Sequence, residues 1–236
     1  MDYKELYNMS QDLDFYASKL TINKPDGIVP FKLNSCQQTI IKELENNSLL
    51  NVYTPRQVGG STLIAFLASH YAIFNANKNI AVITINIDNA KTLKNLCENF
   101  ISQLPLPITY IVNNMDRIEL SNGTKIIFSS INSSSKFRGG GYQRVFLDNI
   151  AFAKDNSFYD FYCSVFPTIT SSEQTKVLSI NSGIFNDTEY KKYWLKNLYI
   201  PASQVNDKYY QEAISKIKNI ISEDRFKHEY EGEIVV

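Results

Sequence analysis

Short apolar runs alternate with amphipathic stretches along this chain. Leu49–Tyr53, Ile80–Ile85, Val145–Leu147 and Lys176–Ile180 read as short, buried strands. Between them the apolar residues fall at helical spacing. Asn34 or Ser35 caps a helix to about Glu45, with Ile40, Ile41 and Leu44 on one face. A turn at Gly59-Gly60-Ser61-Thr62 opens a long apolar helix through Leu63, Ile64, Phe66, Leu67 and Tyr71 to about Phe74. Asp88 caps a helix to Leu104, where Pro105 and Pro107 stop it. Ile118–Leu120 and Lys125–Phe128 flank Asn122-Gly123 and predict a β-hairpin. Residues 132–142 are polar and Gly-rich, the composition of a mobile loop. A helix is expected from about Phe158 to Phe166, and a stripe of Ala213, Ile214, Ile217, Ile220 and Ile221 makes the last third helical. Residues 1–20 fit a helix or an irregular arm, and Pro25-Asp26-Gly27 marks a turn. Strands alternating with helices predict an α/β fold, a mostly parallel sheet with helices on both faces. No repeat or linker divides residues 1–236, so one domain is expected, with an arm at 1–34 and a helical part at 184–236.

Composition narrows the function classes. With 44% hydrophobic and 20% charged residues the chain is an ordinary globular one, neither disordered nor coiled-coil. Lys+Arg and Asp+Glu both number 24, which excludes a histone-like basic binder but not a local basic patch or a ring whose lumen meets DNA. Cys36, Cys97 and Cys163 show no disulfide or zinc spacing and read as buried or semi-buried thiols of a reducing cytoplasm. No apolar run reaches the roughly 18 residues that span a bilayer. Residues 1–20 carry acids and no apolar core, so no signal peptide is expected.

Four places carry candidate chemistry. Thr54-Pro55-Arg56-Gln57-Val58-Gly59-Gly60-Ser61-Thr62 lies between a strand and a helix, the setting of a phosphate loop, GxxxxGK[ST]. Glycines let the backbone turn tightly, N–H groups point inward, and the helix N-terminus adds positive potential. Gly59 and Ser61 occupy the second Gly and the metal-binding hydroxyl. Gly60 stands where the lysine belongs, and Thr54 replaces the first Gly. The same residues also fit a plain Gly turn opening a core helix. Asp148 ends a buried strand, where a nucleotidase holds its Mg²⁺ shell, and a loop cap is the other reading. Asn181 and Ser182 end another strand and suit either a γ-phosphate sensor or a turn. Lys136-Phe137-Arg138-Gly139-Gly140-Gly141 suits phosphate or DNA contact through Arg138, or a solvated loop. His70 and His228 have no paired partner and read as structural.

In this order the four features resemble the ATPase domain of the tailed-phage terminase large subunit, the DNA-packaging motor. That family's Arg-Gln-x-Gly-Lys-[Ser/Thr]-Thr is similar to Arg56-Gln57-Val58-Gly59-Gly60-Ser61-Thr62. Its Asp-Glu-x-Ala-Phe is similar to Asp148-Asn149-Ile150-Ala151-Phe152, with Arg138-Gly139 about ten residues before. The aromatic stretch Phe158 to Ser172 and Asn181-Ser182-Gly183 resemble its later motifs. Ile28–Leu33 with Gln37 resembles its adenine-side segment, and Arg225–Tyr230 with Glu231-Gly232 the end of that domain. The resemblance spans about residues 14–232.

It implies a P-loop fold binding ATP and Mg²⁺. Gln37 would contact adenine. Arg56, Gln57, Gly59, Gly60, Ser61 and Thr62 would cradle phosphate. Ser61 and Asp148 would hold the metal. Arg56, Arg138, Asp148 and Asn149 fall at catalytic positions, and Asn181 and Ser182 would couple hydrolysis to movement. The implied partners are double-stranded DNA, a portal protein, a small terminase subunit and other copies in a ring, in the host cytoplasm and away from membranes.

Three departures qualify this. The loop lysine is absent, and charge-assisted bonds of its kind contribute about 1.5–3 kcal/mol each. Arg56 is the substitute cation. Asn149 replaces the catalytic glutamate, and loss of a general base typically costs about 10²–10⁴ in rate. The sequence ends where the family's RNase H-like nuclease would begin, so a separate chain is expected to cut DNA, if cutting occurs. The implied activity is DNA-packaging ATPase, with a catalytically degenerate assembly or DNA-docking subunit as the alternative.

Overall fold

The computed structural model describes residues 2–24, 27–153, 157–171, 174–183 and 194–231. Helices α1 (Tyr3–Gln11) and α2 (Leu13–Ala17) open the chain, capped by Asp2 and Asp12, and bury Met9 and Tyr16. Strands β1 (Thr21–Lys24) and β2 (Gly27–Pro30) pair as a separate antiparallel ribbon. Two residues of the expected Pro-Asp-Gly turn lie outside the described residues. Helix α3 (Ser35–Asn46) starts in a full capping box, Asn34 with Gln37.

The alternating pattern then builds the main sheet. Strand β3 (Leu49–Thr54) leads into α4 (Gly60–Phe74), and β4 (Asn79–Thr84) into α5 (Ile87–Ser102). Strands β5 (Tyr110–Asn113), β6 (Arg117–Leu120) and β7 (Lys125–Ser130) follow, then β8 (Arg144–Asp148). Helices α6 (Ser157–Ser164) and α7 (Phe166–Ile169) precede β9 (Lys176–Ser182) and β10 (Lys196–Tyr199). Helices α8 (Lys208–Lys218) and α9 (Glu223–Phe226) and a π-helical turn at Lys227–Glu231 close the described chain.

The eight strands lie in the order β10-β3-β9-β8-β4-β7-β6-β5. The six from β10 to β7 are parallel, and β6 and β5 add an antiparallel edge. Side chains alternate between two cores, as strand geometry requires. Leu50, Val52, Ile80, Val82, Phe146, Leu178 and Ile180 pack with α3, α4 and α5. Tyr53, Ala81, Ile83, Val145, Leu147 and Val177 pack with α6 and α7 on the other face. A sheet buried on both faces explains why its strands read as uninterrupted apolar runs.

Several expectations need correction. The α5 cap is Asn86, not Asp88: the Asn86 side chain accepts from the Asn89 N–H at 2.8 Å. Residues 131–137 form a 3₁₀ turn rather than an open loop, because Phe137 and Tyr142 are buried ring against ring at 5.5 Å. The helix expected over 158–166 breaks at Val165, and α7 restarts at Phe166 with Pro167 in its first turn. Strand β10 lies inside the segment expected to be all helical, and the last stripe is broken: α8 stops at Lys218, leaving Ile220 78% exposed. Cys36 and Cys97 are buried as expected, but Cys163 is exposed.

Candidate functional site

Parallel α/β sheets bind ligands at the carboxyl ends of their strands. Three neighbouring strands, β3, β9 and β8, end together here, with Thr54 opposite Ser182 and Asp148 opposite Ile180. The loop after β3 reaches α4 through two residues with positive φ, Gln57 at 65° and Gly59 at 83°. The first helical bond runs from the Leu63 N–H to the Gly59 carbonyl at 2.9 Å. The N–H groups of Gly60, Ser61 and Thr62 precede it and have no acceptor within the helix. Gly59 provides no side-chain cap. This helix start therefore keeps the donors and the positive dipole end that an anion uses.

Asp148 faces that cradle. It is 3% exposed, and Ser61 Oγ donates to its two carboxylate oxygens at 3.0 and 3.1 Å. Burial pushes the Asp148 carboxyl up to about 6, and the Ser61 hydroxyl opposes that rise. Asn149 follows in the left-handed region, φ 58°. Its Nδ2 donates to Asp148 Oδ1 at 3.1 Å, and its Oδ1 accepts from the Ser182 N–H at 2.8 Å. Asn149 thus ties the ends of β8 and β9 together.

Asn181 is fully buried and points into the sheet. Its Oδ1 accepts from the Ala151 N–H at 3.1 Å, and its Nδ2 donates to Asn51 Oδ1 at 2.9 Å. Asn51 in turn donates to Asn197 Oδ1 at 2.9 Å. A line of amides therefore crosses β9, β3 and β10 under the site.

Gln37 is buried beneath the loop. Its Nε2 donates to the Gly59 carbonyl at 3.0 Å, while its Oε1 accepts from the Asn34 N–H at 3.1 Å. Asn34 Nδ2 holds the Val58 carbonyl at 3.0 Å. The cap of α3 thereby fixes the loop from below. Arg56 is half exposed and ion-paired with Glu229 from the C-terminal π turn, which raises its guanidinium further above its ordinary range. Tyr210 Oη donates to the Arg56 carbonyl at 3.1 Å. Arg56, Gln57, Asn89, Asn149, Phe152 and Ser182 line one cleft of about 380 Å³. Arg138 lies elsewhere, in a cleft of about 290 Å³ with Ser134, Asp160 and Ser164.

A family model described as the terminase large subunit, T4likevirus-type, N-terminal, matches residues 51–233. The chain belongs to that family. Solved terminases share its fold at low identity. The large terminase ATPase domain of Thermus phage P74-26 superposes with a TM-score of 0.68 at 15% identity, over 87% of this chain and 95% of that one. A second large terminase, from another thermophilic bacteriophage, gives 0.66 at 9%, over 86% of this chain and 54% of that one. That of bacteriophage HK97 gives 0.59 at 14%, over 73% and 37%. This terminase chain thus spans about half the length of the second protein and less of the HK97 one.

Within the terminase domain the structure brings together Arg56, Gln57, Gly59, Gly60, Ser61, Thr62, Asp148, Asn149, Ser182 and, beneath them, Gln37 and Asn181. It sets Arg138 apart. Sequence reasoning missed Asn89, Glu229 and Tyr210. Asn89 sits in the first turn after β4, so the rule about strand ends would have found it. Glu229 is 173 residues from Arg56, and no local pattern announces that pairing. No group of three His, Cys, Asp or Glu side chains placed to hold a metal ion exists among the described residues. None of their helices is long and apolar enough to cross a membrane.

Proposed function

We propose that this domain binds ATP with Mg²⁺ at residues 54–62 and acts on double-stranded DNA as the motor part of a packaging terminase. The 3.0 Å bond between Ser61 Oγ and Asp148 carries this reading. It joins a hydroxyl and a buried carboxylate at a helix start with free N–H groups. The second thermophilic-phage large terminase, solved with ADP and with ATP-γ-S, supports nucleotide as the ligand class.

The donor set suits Mg²⁺, a hard cation that takes one or two protein oxygens and completes its shell with water and phosphate. Ser61 and Asp148 would hold it, and when bound it screens the charge on the phosphate oxygens. The N–H groups of Gly60, Ser61 and Thr62 bind phosphate oxygen. Gln57 and Gly59 shape the turn that aims them. Arg56 supplies a cation to the phosphate chain once it leaves Glu229. Gln37 positions the loop through Gly59, and because it is buried, an adenine contact by its amide requires the loop to move.

Asn149 cannot accept a proton, so it orients Asp148 and passes its position to Ser182. Asn181 and Ser182 then relate the state of the site to β9. Arg138, in its own cleft, is assigned to phosphate or DNA outside this loop. A portal protein, a small terminase subunit and further copies in a ring are the partners that fit this role, in the host cytoplasm.

The test is ATP turnover with DNA and packaging partners present. The account expects slow, Asp148-dependent turnover, since losing a general base costs about 10²–10⁴ in rate. Turnover indistinguishable between wild type and Asp148→Ala rejects hydrolysis here. Asn149 also favours a second reading, a nucleotide-holding subunit with an assembly or DNA-docking role. Binding of an ATP analogue without any turnover supports it.

A further inference from the structure

The space that the first side-chain carbon of a lysine at position 60 would use is already filled. A Cβ placed on Gly60 would lie 2.8 Å from Ile180 Cγ2 and 4.0 Å from Thr54 Oγ1. Non-bonded carbons prefer about 3.5–4.0 Å. Ile180 cannot simply give way. It is 1% exposed, its β-branch leaves little freedom at χ1, and β9 is hydrogen-bonded on both sides, to β3 and β8. Thr54 is 2% exposed, and its hydroxyl has no partner among the described residues. The start of α4 therefore packs against β9 too closely for a side chain at position 60.

We propose that Ile180 holds this phosphate loop in a lysine-free form, as the steric counterpart of Gly60, and that the loop accordingly takes nucleotide only as its metal complex. The second half rests on reading residues 54–62 as a nucleotide site. Its reason is charge. A helix start offers about half a positive charge, against the several negative charges of a triphosphate. Arg56 is engaged by Glu229, and ionised Asp148 beside Ser61 adds repulsion. With no ammonium group in the loop, and with Arg56 reaching the phosphates only after it leaves Glu229, a divalent cation at Ser61 and Asp148 has to supply the first compensation.

The experiment measures thermal unfolding and ATP-γ-S binding, with Mg²⁺ or with EDTA. Its variants are wild type, Gly60→Ala, Gly60→Lys, Ile180→Ala and the two double variants. Gly60→Ala is the gentle probe, adding only the Cβ. It is expected to lower Tm by about 4 °C or more in wild type and by less than about 1 °C in the Ile180→Ala background. Wild-type binding is expected to fall about 100-fold or more in EDTA, while Gly60→Lys/Ile180→Ala stays within about 10-fold of its Mg²⁺ value. Equal Tm losses in both backgrounds overturn the steric lock, whether or not nucleotide binds. A lock seen in Tm with no binding by any variant in Mg²⁺ overturns the nucleotide reading and leaves the lock standing. Wild-type binding that is unchanged by EDTA overturns the metal dependence.

Discussion

Two halves of the loop site differ in what their side chains are doing. On one side, among the described residues, Ser61 and Asp148 hold each other and, through Asn149, the neighbouring strand end. A cation could take over that bond without disturbing the core. On the other side Gln37, Asn181 and Arg56 are already committed: to the Gly59 carbonyl, to a buried amide line, and to Glu229. The Ser61–Asp148 half is thus the one proposed to take the metal. The half around Gln37, Asn181 and Arg56 is already engaged by contacts within the protein. Ile180 against Gly60 belongs to this committed side.

The sharpest way to break this contrast is Asp148→Ala. It should weaken Mg²⁺-dependent nucleotide binding by about 1,000-fold or more, ~4 kcal/mol, in titration calorimetry. Asp148→Asn separates charge from shape. Burial raises this carboxyl from an ordinary 3.8 to about 6 in the folded protein. A raised folded value means stability is full below the unfolded value and is lost as pH rises through about 6. Asp148→Asn should therefore raise Tm at pH 8, by the equivalent of at most about 3 kcal/mol, and the gain should vanish near pH 4. Nucleotide binding with metal should weaken in the opposite direction, as pH falls below about 6.

On the committed side, Asn181→Leu removes the acceptor of the Ala151 N–H and a donor to Asn51 Oδ1, and denaturant unfolding should show a loss of about 2 kcal/mol. The smallest stability effect belongs to Glu229→Gln. The Arg56 side chain is 55% exposed, so breaking the pair should change stability by less than about 1 kcal/mol. The same substitution frees Arg56 and should tighten nucleotide binding by a few-fold in the same calorimetric assay. A large stability loss with no gain in affinity would make Glu229 a structural strut instead.

Much of the fold was legible because periodicity and turn chemistry are local. The runs at Leu49, Ile80, Val145 and Lys176, the caps at Asn34 and the Asn122-Gly123 turn each predicted the element they form. Strand β10 was not legible, since its four residues pair with β3, far back in the chain. Strands β1 and β5 pair with the strands that follow them, β2 and β6, but their four residues show no clear period of their own. The 3₁₀ turn was missed because its polar, Gly-rich surroundings hid two buried rings, Phe137 and Tyr142. Order and spacing of motifs located Ser61 and Asp148. They could not reveal that Ile180 fills the space beside Gly60, nor that Glu229 returns to Arg56, because both contacts exist only after folding.

The most direct test is a crystal structure with Mg²⁺ and ATP-γ-S. The account predicts phosphate oxygens on the N–H groups of Gly60, Ser61 and Thr62. It also predicts Ser61 Oγ turned from Asp148 to the metal at about 2.1 Å. Nucleotide bound at another place, with the Ser61–Asp148 bond intact, would contradict it.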